Sequence, residues 1–208
     1  MEPMSTEEES YANKEQGQVM TCFWGHLLCA ELLFEHDPLG CASNGTFSSM
    51  LETSLARENR NVTAILLQGA ISQNFDAKDL EGAFKYACRM GHSEFVQSVL
   101  EHFELSNWPG AFILAADQGR GSVVSALLRN GAELNSRDKN GNLALDIAIQ
   151  NVRKYRNHVN CTKNPPSWMG VLNILLREGA DTDDLTSKIK EKSLMKFLNS
   201  PILSSGKH

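Results

Sequence analysis

The chain has 208 residues, of which 41% are hydrophobic and 22% are charged, and its formal net charge is −5. This composition is typical of a folded globular protein and excludes a largely disordered chain, while the acidic balance argues against general nucleic-acid binding. No stretch approaches the roughly 20 consecutive apolar residues that are needed to cross a bilayer.

Residues 1–17 contain five Glu and one Lys with few apolar residues, which predicts an acidic, flexible tail. This beginning resembles neither a secretory signal nor a transit peptide, so we expect an intracellular protein in the cytoplasm, with the nucleus as an alternative. The cysteines are odd in number and scattered without a CxxC pair, which favours a reduced compartment.

From residue 18 to about residue 199 the apolar spacing is helical, and no segment alternates as a strand would. Two segments repeat one pattern: a pair of helices in which a glycine ends each helix, Gly119 and Gly131 in one copy and Gly179 in the next. A run such as Val123-Val124-Ser125-Ala126-Leu127-Leu128 gives the second helix apolar ridges that only a neighbouring copy can bury. We therefore predict an all-α stack of about five helical hairpins over residues 18–182, near 18–36, 46–70, 80–103, 109–132 and 142–179.

Residues 131–148, GAELNSRDKNGNLALDIA, carry the pattern most clearly. They resemble the ankyrin repeat: Gly-Ala-Asp-x-Asn, then Asp-x-x-Gly, then a helix rich in Leu and Ala. The resemblance covers roughly residues 18–182, is best over 107–181, and implies a solenoid of stacked hairpins. The family's Thr-Pro-Leu-His is replaced by Leu143-Ala144-Leu145-Asp146, so the Thr–His hydrogen bonds of consensus repeats are absent. Residues 183–199 are predicted to form a capping helix and residues 200–208 a tail.

The last hairpin contains an insertion of about 15 residues relative to the family's period, near residues 152–168. It is basic, and aromatic residues of the kind found at binding hot spots lie beside the basic ones. We interpret it either as a contact site for an acidic partner or as a mere lengthening of two helices, the second of which would begin at Pro165 or Pro166. The candidate binding residues of the insertion are Arg153, Lys154, Tyr155, Arg156 and Trp168.

A second candidate surface follows from the resemblance, because ankyrin-like proteins commonly bind partners through the turn tips and first helices on their concave face. The exposed candidates there are Trp108, Phe112, Arg137, Lys139 and Asn140. Trp108 either projects from a turn or is a buried wedge. Asp138 and Asn140 are expected to fix the turn rather than to bind a ligand.

Cysteine and histidine residues between Cys22 and Cys41 invite a zinc interpretation, but they lack tightly paired spacings, and core packing explains them more simply. No catalytic motif is recognised. We therefore expect no metal, no cofactor and no enzymatic activity. The predicted function is a protein-binding adaptor or inhibitor. The alternatives are an all-α enzyme or enzyme subunit that only mimics the repeats, and a ubiquitin-ligase adaptor, since residues 193–198 resemble the start of a recruiting box.

Overall fold

The computed structural model describes residues 46–104, 110–155 and 167–181, together with the single positions 17, 19, 20 and 32. Within these ranges the chain is helical and has no β-strand, which confirms the all-α prediction. Apart from those single positions, the first predicted hairpin and the acidic tail lie outside the described residues, as do the capping helix at 183–199 and the C-terminal tail. The part of the chain that is described contains no helix long and apolar enough to cross a membrane.

Between residues 46 and 181, the described ranges contain eight α-helices and one 3-10 helix, which follow one another in pairs. The helices are α1 (Thr46–Ala56), α2 (Arg60–Ser72), the 3-10 helix Ala77–Leu80, α3 (Glu81–Met90), α4 (Ser93–Leu100), α5 (Ala111–Asp117), α6 (Gly121–Arg129), α7 (Ala144–Tyr155) and α8 (Trp168–Arg177). The first helices of the pairs begin at residues 46, 81, 111 and 144, so their spacing stays close to the period of about 33 that the resemblance implies.

Contacts between residues divide the chain into two compact units. Among the described residues, the N-terminal unit holds 46–87 and 94–104, and the C-terminal unit holds 88–93, 110–155 and 167–181. The boundary falls inside the third and fourth helices, and the turn between them groups with the C-terminal unit.

The N-terminal unit has a core of large side chains. Phe47, Met50, Leu66 and Phe84 are fully buried, and the ring of Phe47 meets that of Phe75 edge to face at 4.9 Å. Such a contact adds about 1 kcal/mol beyond the buried area. Helix α1 therefore packs against α2, and its Phe47 ring contacts Phe75 in the segment that follows α2.

Smaller residues build the core of the C-terminal unit. Ala115 and Ala116 on α5 have no exposed surface, and neither have Val123, Leu127 and Leu172 on the neighbouring helices. A pair of small residues in a helix predicts close packing against its neighbour, and here the alanine side chains let α5 approach the adjoining helices closely. The buried faces of all four helices α5 to α8 contribute to this core.

The predicted helix-ending glycines are confirmed. Gly91, Gly119, Gly131 and Gly179 all have positive φ, between 68° and 92°, directly after a helix. After α6, Gly131 N donates to Leu128 O and Ala132 N to Leu127 O, the paired bonds that close a helix in a Schellman motif. Identical pairs of bonds follow α5 and α8.

The N-terminal unit makes the same turns without glycine. Glu58 after α1 has φ 57° and Asn74 after α2 has φ 54°, and each stands where a glycine stands later in the chain. Residues 62–70, VTAILLQGA, are a weaker copy of the run that ends at Gly131, and this alignment predicts a helix end at Gly69. Gly69 lies inside α2 instead, because that helix continues to Ser72. The left-handed position of this hairpin therefore comes five residues later than the alignment indicated.

Candidate functional site

The loop between α6 and α7 forms a tight turn, residues 137–143, that we call the Asp138 turn. Arg137 and Leu143 form an isolated antiparallel bridge, and Asp138 N donates to Asn142 O at 2.9 Å. Gly141 takes φ 80° and its N–H donates to Asp138 O. The turn is thus closed by backbone bonds at both ends.

The carboxylate of Asp138 holds the inside of this turn. One oxygen accepts the backbone N–H groups of Asn140 and Asn142, each at 2.8 Å, and the other accepts the Asn142 amide at 3.1 Å. The Asn142 amide and N–H lower the pKa of the Asp138 carboxyl below its ordinary value. The predicted role of Asp138 and Asn140 in fixing the turn is confirmed.

Arg137, Lys139 and Asn140 are all exposed, as predicted, and the Asn140 amide also donates to Asp138 Oδ2 at 3.4 Å. The Arg137 guanidinium also donates to Gly141 O at 2.7 Å, so its position is held from within the turn. The prediction that Phe112 is exposed is wrong. Phe112 is only 5% exposed, because it shares the buried face of α5 with Ala115 and Ala116 three and four residues later. Trp108 lies outside the described residues.

Both flanks of the insertion are attached to the turn between α5 and α6. On one side, the Asn151 amide donates to Asp117 O at 3.0 Å and to Asp117 Oδ1 at 3.1 Å. On the other, Trp168 Nε1 donates to Asp117 O at 2.7 Å and Ser167 N to Gly119 O at 2.9 Å. Trp168 is half-buried, so its indole N–H serves the contact between hairpins rather than an outside ligand.

The second helix of the last hairpin begins at Trp168, with Ser167 as its N-cap. The Ser167 hydroxyl accepts the N–H of Gly170 at 3.3 Å. The prediction that Pro165 or Pro166 opens this helix is therefore wrong, since a serine with a side-chain acceptor takes the capping role one or two residues later.

The basic residues of the insertion are only partly described. Arg153 is half-buried and Lys154 is exposed, both in the last turn of α7. The backbone of Tyr155 ends this helix, while its side chain and all of Arg156 lie outside the described residues. Arg153 Nε is buried and has no hydrogen-bond partner.

Two described residues with clear roles were missed by the sequence analysis. Arg120 Nε donates to Arg89 O at 2.8 Å, which joins two successive inter-helix turns, and burial lowers the pKa of the Arg120 guanidinium. Asp146 is 5% exposed and its carboxylate accepts Leu143 N at 3.2 Å, so it caps α7 where the family places histidine. The polar residue three positions after Leu143 was the available signal for this cap.

Cys88 is the one described cysteine, and it is fully buried in α3. Burial raises the pKa of its thiol to about 12. Within the described ranges no group of three or more His, Cys, Asp or Glu side chains could hold a metal ion. The residues of the zinc interpretation, from Cys22 to Cys41, lie outside those ranges.

Comparison of the sequence with protein-family models gives no match, and comparison with curated protein sequences gives none either.

Proposed function

We propose that this chain is a protein-binding module, an adaptor or an inhibitor, which presents exposed side chains on an ankyrin-like stack of helical hairpins. The contact residues would be Arg137, Lys139 and Asn140 on the Asp138 turn, together with the basic end of the insertion. The resemblance stated from the sequence supports this proposal, and so does the recurrence of one helix-ending turn after α5, α6 and α8.

The observation that carries the proposal is a set of hydrogen bonds between successive hairpins at both of their ends. Trp168 Nε1 bonds Asp117 O at the inter-helix turns, and Asp181 N bonds Asn135 Oδ1 at 3.0 Å at the other end. Side chains that project from such a framework are held in place before any partner arrives. Preorganisation of this kind lowers the entropic cost of binding.

The Asp138 turn extends the argument to individual contacts. Lys139 is exposed, and its neighbours Asp138 and Asn140 are bonded to each other inside the turn. A cation carried on a rigid turn backbone can pair with an acidic group of a partner without the main chain first being ordered. The turn therefore supports recognition of a folded protein surface.

The test is affinity capture with the full chain, followed by binding measurements with the purified partner. Lys139→Glu is compared with Arg129→Glu, which reverses an exposed charge in the last turn of α6. We expect the wild-type chain and the Arg129 variant to retain one partner in stoichiometric amount, and the Lys139 variant to bind it at least about 10-fold more weakly. The proposal would be contradicted if no partner is recovered in stoichiometric amount, or if both variants lose affinity for the partner equally.

A further inference from the structure

The helices of each hairpin run in opposite directions, so the inter-helix turns of the C-terminal unit lie at one end of their hairpins and the long loops at the other. The bonds from Arg120 to Arg89 O and from Trp168 to Asp117 O bring together the residues at the inter-helix turns. We call this surface, formed by residues 88–93, 115–122, 150–155 and 167–172, the turn end. Its basic residues are Arg89, Arg120, Arg153 and Lys154.

Asp117 is the only acidic residue within those four segments. Its carboxylate already accepts the amides of Asn151 and Gln118, at 3.1 and 2.8 Å. The opposite end has a mixed charge, because Arg129 and Arg177 there stand beside Glu133, Glu178 and Asp181. Among the described residues of the C-terminal unit, the excess of positive charge is therefore confined to the turn end.

Two guanidinium groups of the turn end lack an acceptor among the described residues. Arg153 Nε is buried with no hydrogen-bond partner, and the exposed side chain of Arg89 makes no ion pair or hydrogen bond within the described ranges. A buried donor that is left unsatisfied destabilises the folded state, and native proteins rarely tolerate one without a reason. Guanidinium groups prefer carboxylates as acceptors and bind them in a fork geometry, so Arg89 and the half-buried Arg153 both suit an acidic partner.

Apolar side chains accompany these cations. Met90, next to Arg89, is 39% exposed, and Met169, next to Trp168, is 42% exposed. Methionine adapts to irregular apolar partners and is enriched in binding interfaces. The turn end thus combines the cations Arg89 and Arg153 with exposed, flexible apolar groups.

We propose that the turn end binds an acidic segment of a partner protein in which apolar residues are interspersed, with Arg89 and Arg153 pairing its carboxylates and Met90 and Met169 contacting its apolar side chains. This inference rests on the proposed function and adds the chemistry of the partner. The charge complementarity comes from four cations around one already occupied carboxylate.

The experiment uses the full chain and a short fluorescein-labelled peptide of Glu with interspersed Leu, followed by fluorescence anisotropy at low and at physiological ionic strength. A second peptide replaces each Leu by Ser. The double variant Arg89→Glu with Arg153→Gln is compared with Arg129→Glu with Arg177→Gln, which makes the same charge changes at the opposite end. Circular dichroism melting shows whether each variant is folded.

We expect the wild-type chain to bind the Glu/Leu peptide more tightly than the Glu/Ser peptide, with an affinity that falls as salt rises. The turn-end variant should bind about 10-fold more weakly and the opposite-end variant within about 2-fold of the wild type. If the turn-end variant fails to fold, the double variant Met90→Ser with Met169→Ser is measured instead. It should weaken binding of the Glu/Leu peptide and leave binding of the Glu/Ser peptide unchanged.

Three results would overturn the inference. They are no binding of the Glu/Leu peptide by the wild-type chain, an equal loss of affinity for it in both charge variants, or equal affinity of the wild-type chain for the two peptides. Failure of this inference is distinguishable from failure of the proposed function. A partner that is captured through Lys139, and that the Glu/Leu peptide does not displace, would leave the proposed function standing without an acidic site at the turn end.

Discussion

The indole N–H of Trp168 donates to the backbone oxygen of Asp117 at 2.7 Å, across 51 positions of the chain. Asp117 ends α5 and Trp168 begins α8, so this bond joins two hairpins at the point where the insertion rejoins the helical framework. Asn151 donates to the same oxygen from the other flank of the insertion. One carbonyl therefore fixes both ends of the added segment.

Replacing Trp168 by Phe keeps an aromatic ring and removes the donor. We expect the free energy of unfolding to fall by about 1–2 kcal/mol, the value of a lost hydrogen bond and part of the packing. Urea titration followed by circular dichroism measures it. Met169→Ser, at the exposed neighbour, should change stability by less than about 0.5 kcal/mol. Equal effects of the two variants would contradict the role of the indole.

Asn151→Ala tests the same carbonyl from the other side. Each single variant leaves Asp117 O with one side-chain donor, whereas the double variant with Trp168→Phe leaves it with none. We expect the double variant to lose more stability than the sum of the singles, by about 0.5 kcal/mol or more. Strict additivity in the same urea titrations would show that the two bonds act independently.

Acid should weaken the Asp138 turn. Because hydrogen bonds hold the pKa of Asp138 below its ordinary value, its ionised form stabilises the folded state above the unfolded-state pKa of about 4. This contribution is lost as the pH falls through the lower pKa of the folded state. The melting temperature of Asp138→Asn should therefore lie below that of the wild type at neutral pH, and the gap should close in acid.

Thermal melting at a series of pH values measures that gap. Glu133→Gln, at an exposed position in the same loop, is the matched control for the loss of one negative charge. A gap that widens in acid for the Asp138 variant would have the wrong sign and would refute the assignment.

Glu58 offers a stabilising substitution. Its φ of 57° costs a non-glycine residue about 1–2 kcal/mol, and the equivalent turn positions after α3 and α5 are occupied by Gly91 and Gly119. Glu58→Gly should raise the free energy of unfolding by about 0.5 kcal/mol, after the entropy that glycine gains in the unfolded chain is subtracted. Glu58→Ala keeps the strain and should show no gain. A stabilisation by alanine equal to that by glycine would rule out the backbone explanation.

Cys88 should be inert in the folded protein. With a pKa of about 12, about one thiol in 10,000 is ionised at pH 8. Iodoacetamide should therefore leave the Cys88 peptide unmodified in native buffer and label it fully in concentrated urea, as mass spectrometry of the digested chain would show. Rapid labelling under native conditions would show that the third helix opens.

Local patterns in the sequence predicted the features that depend on neighbouring residues. The left-handed glycines at 119, 131 and 179 follow from the end of a helical apolar pattern, and the Asp138 turn follows from clustered Asx residues beside a glycine. The buried Ala115-Ala116 pair was recognised for the same reason. Phe112 could also have been placed correctly, because it precedes that pair by three and four residues on one helical face.

Features that depend on distant contacts could not be predicted in this way. Nothing near Trp168 in the sequence indicates that its partner is Asp117, and nothing near Arg120 indicates the carbonyl of Arg89. The exposed positions of Met90 and Met169 likewise depend on which helix faces the neighbouring hairpins cover. Such relationships arise only when the hairpins pack together.

The attachment of both insertion flanks to one turn has a practical consequence for protein engineering. Because Asn151 on one side and Ser167 on the other bond to Asp117 and Gly119, the chain leaves and re-enters the helical framework at nearly the same place. The entropy of closing a loop grows only slowly with its length, by about 0.6 kcal/mol for each doubling. A fluorescent reporter or an epitope inserted between these two attached flanks should therefore be accommodated without disturbing the adjoining helices.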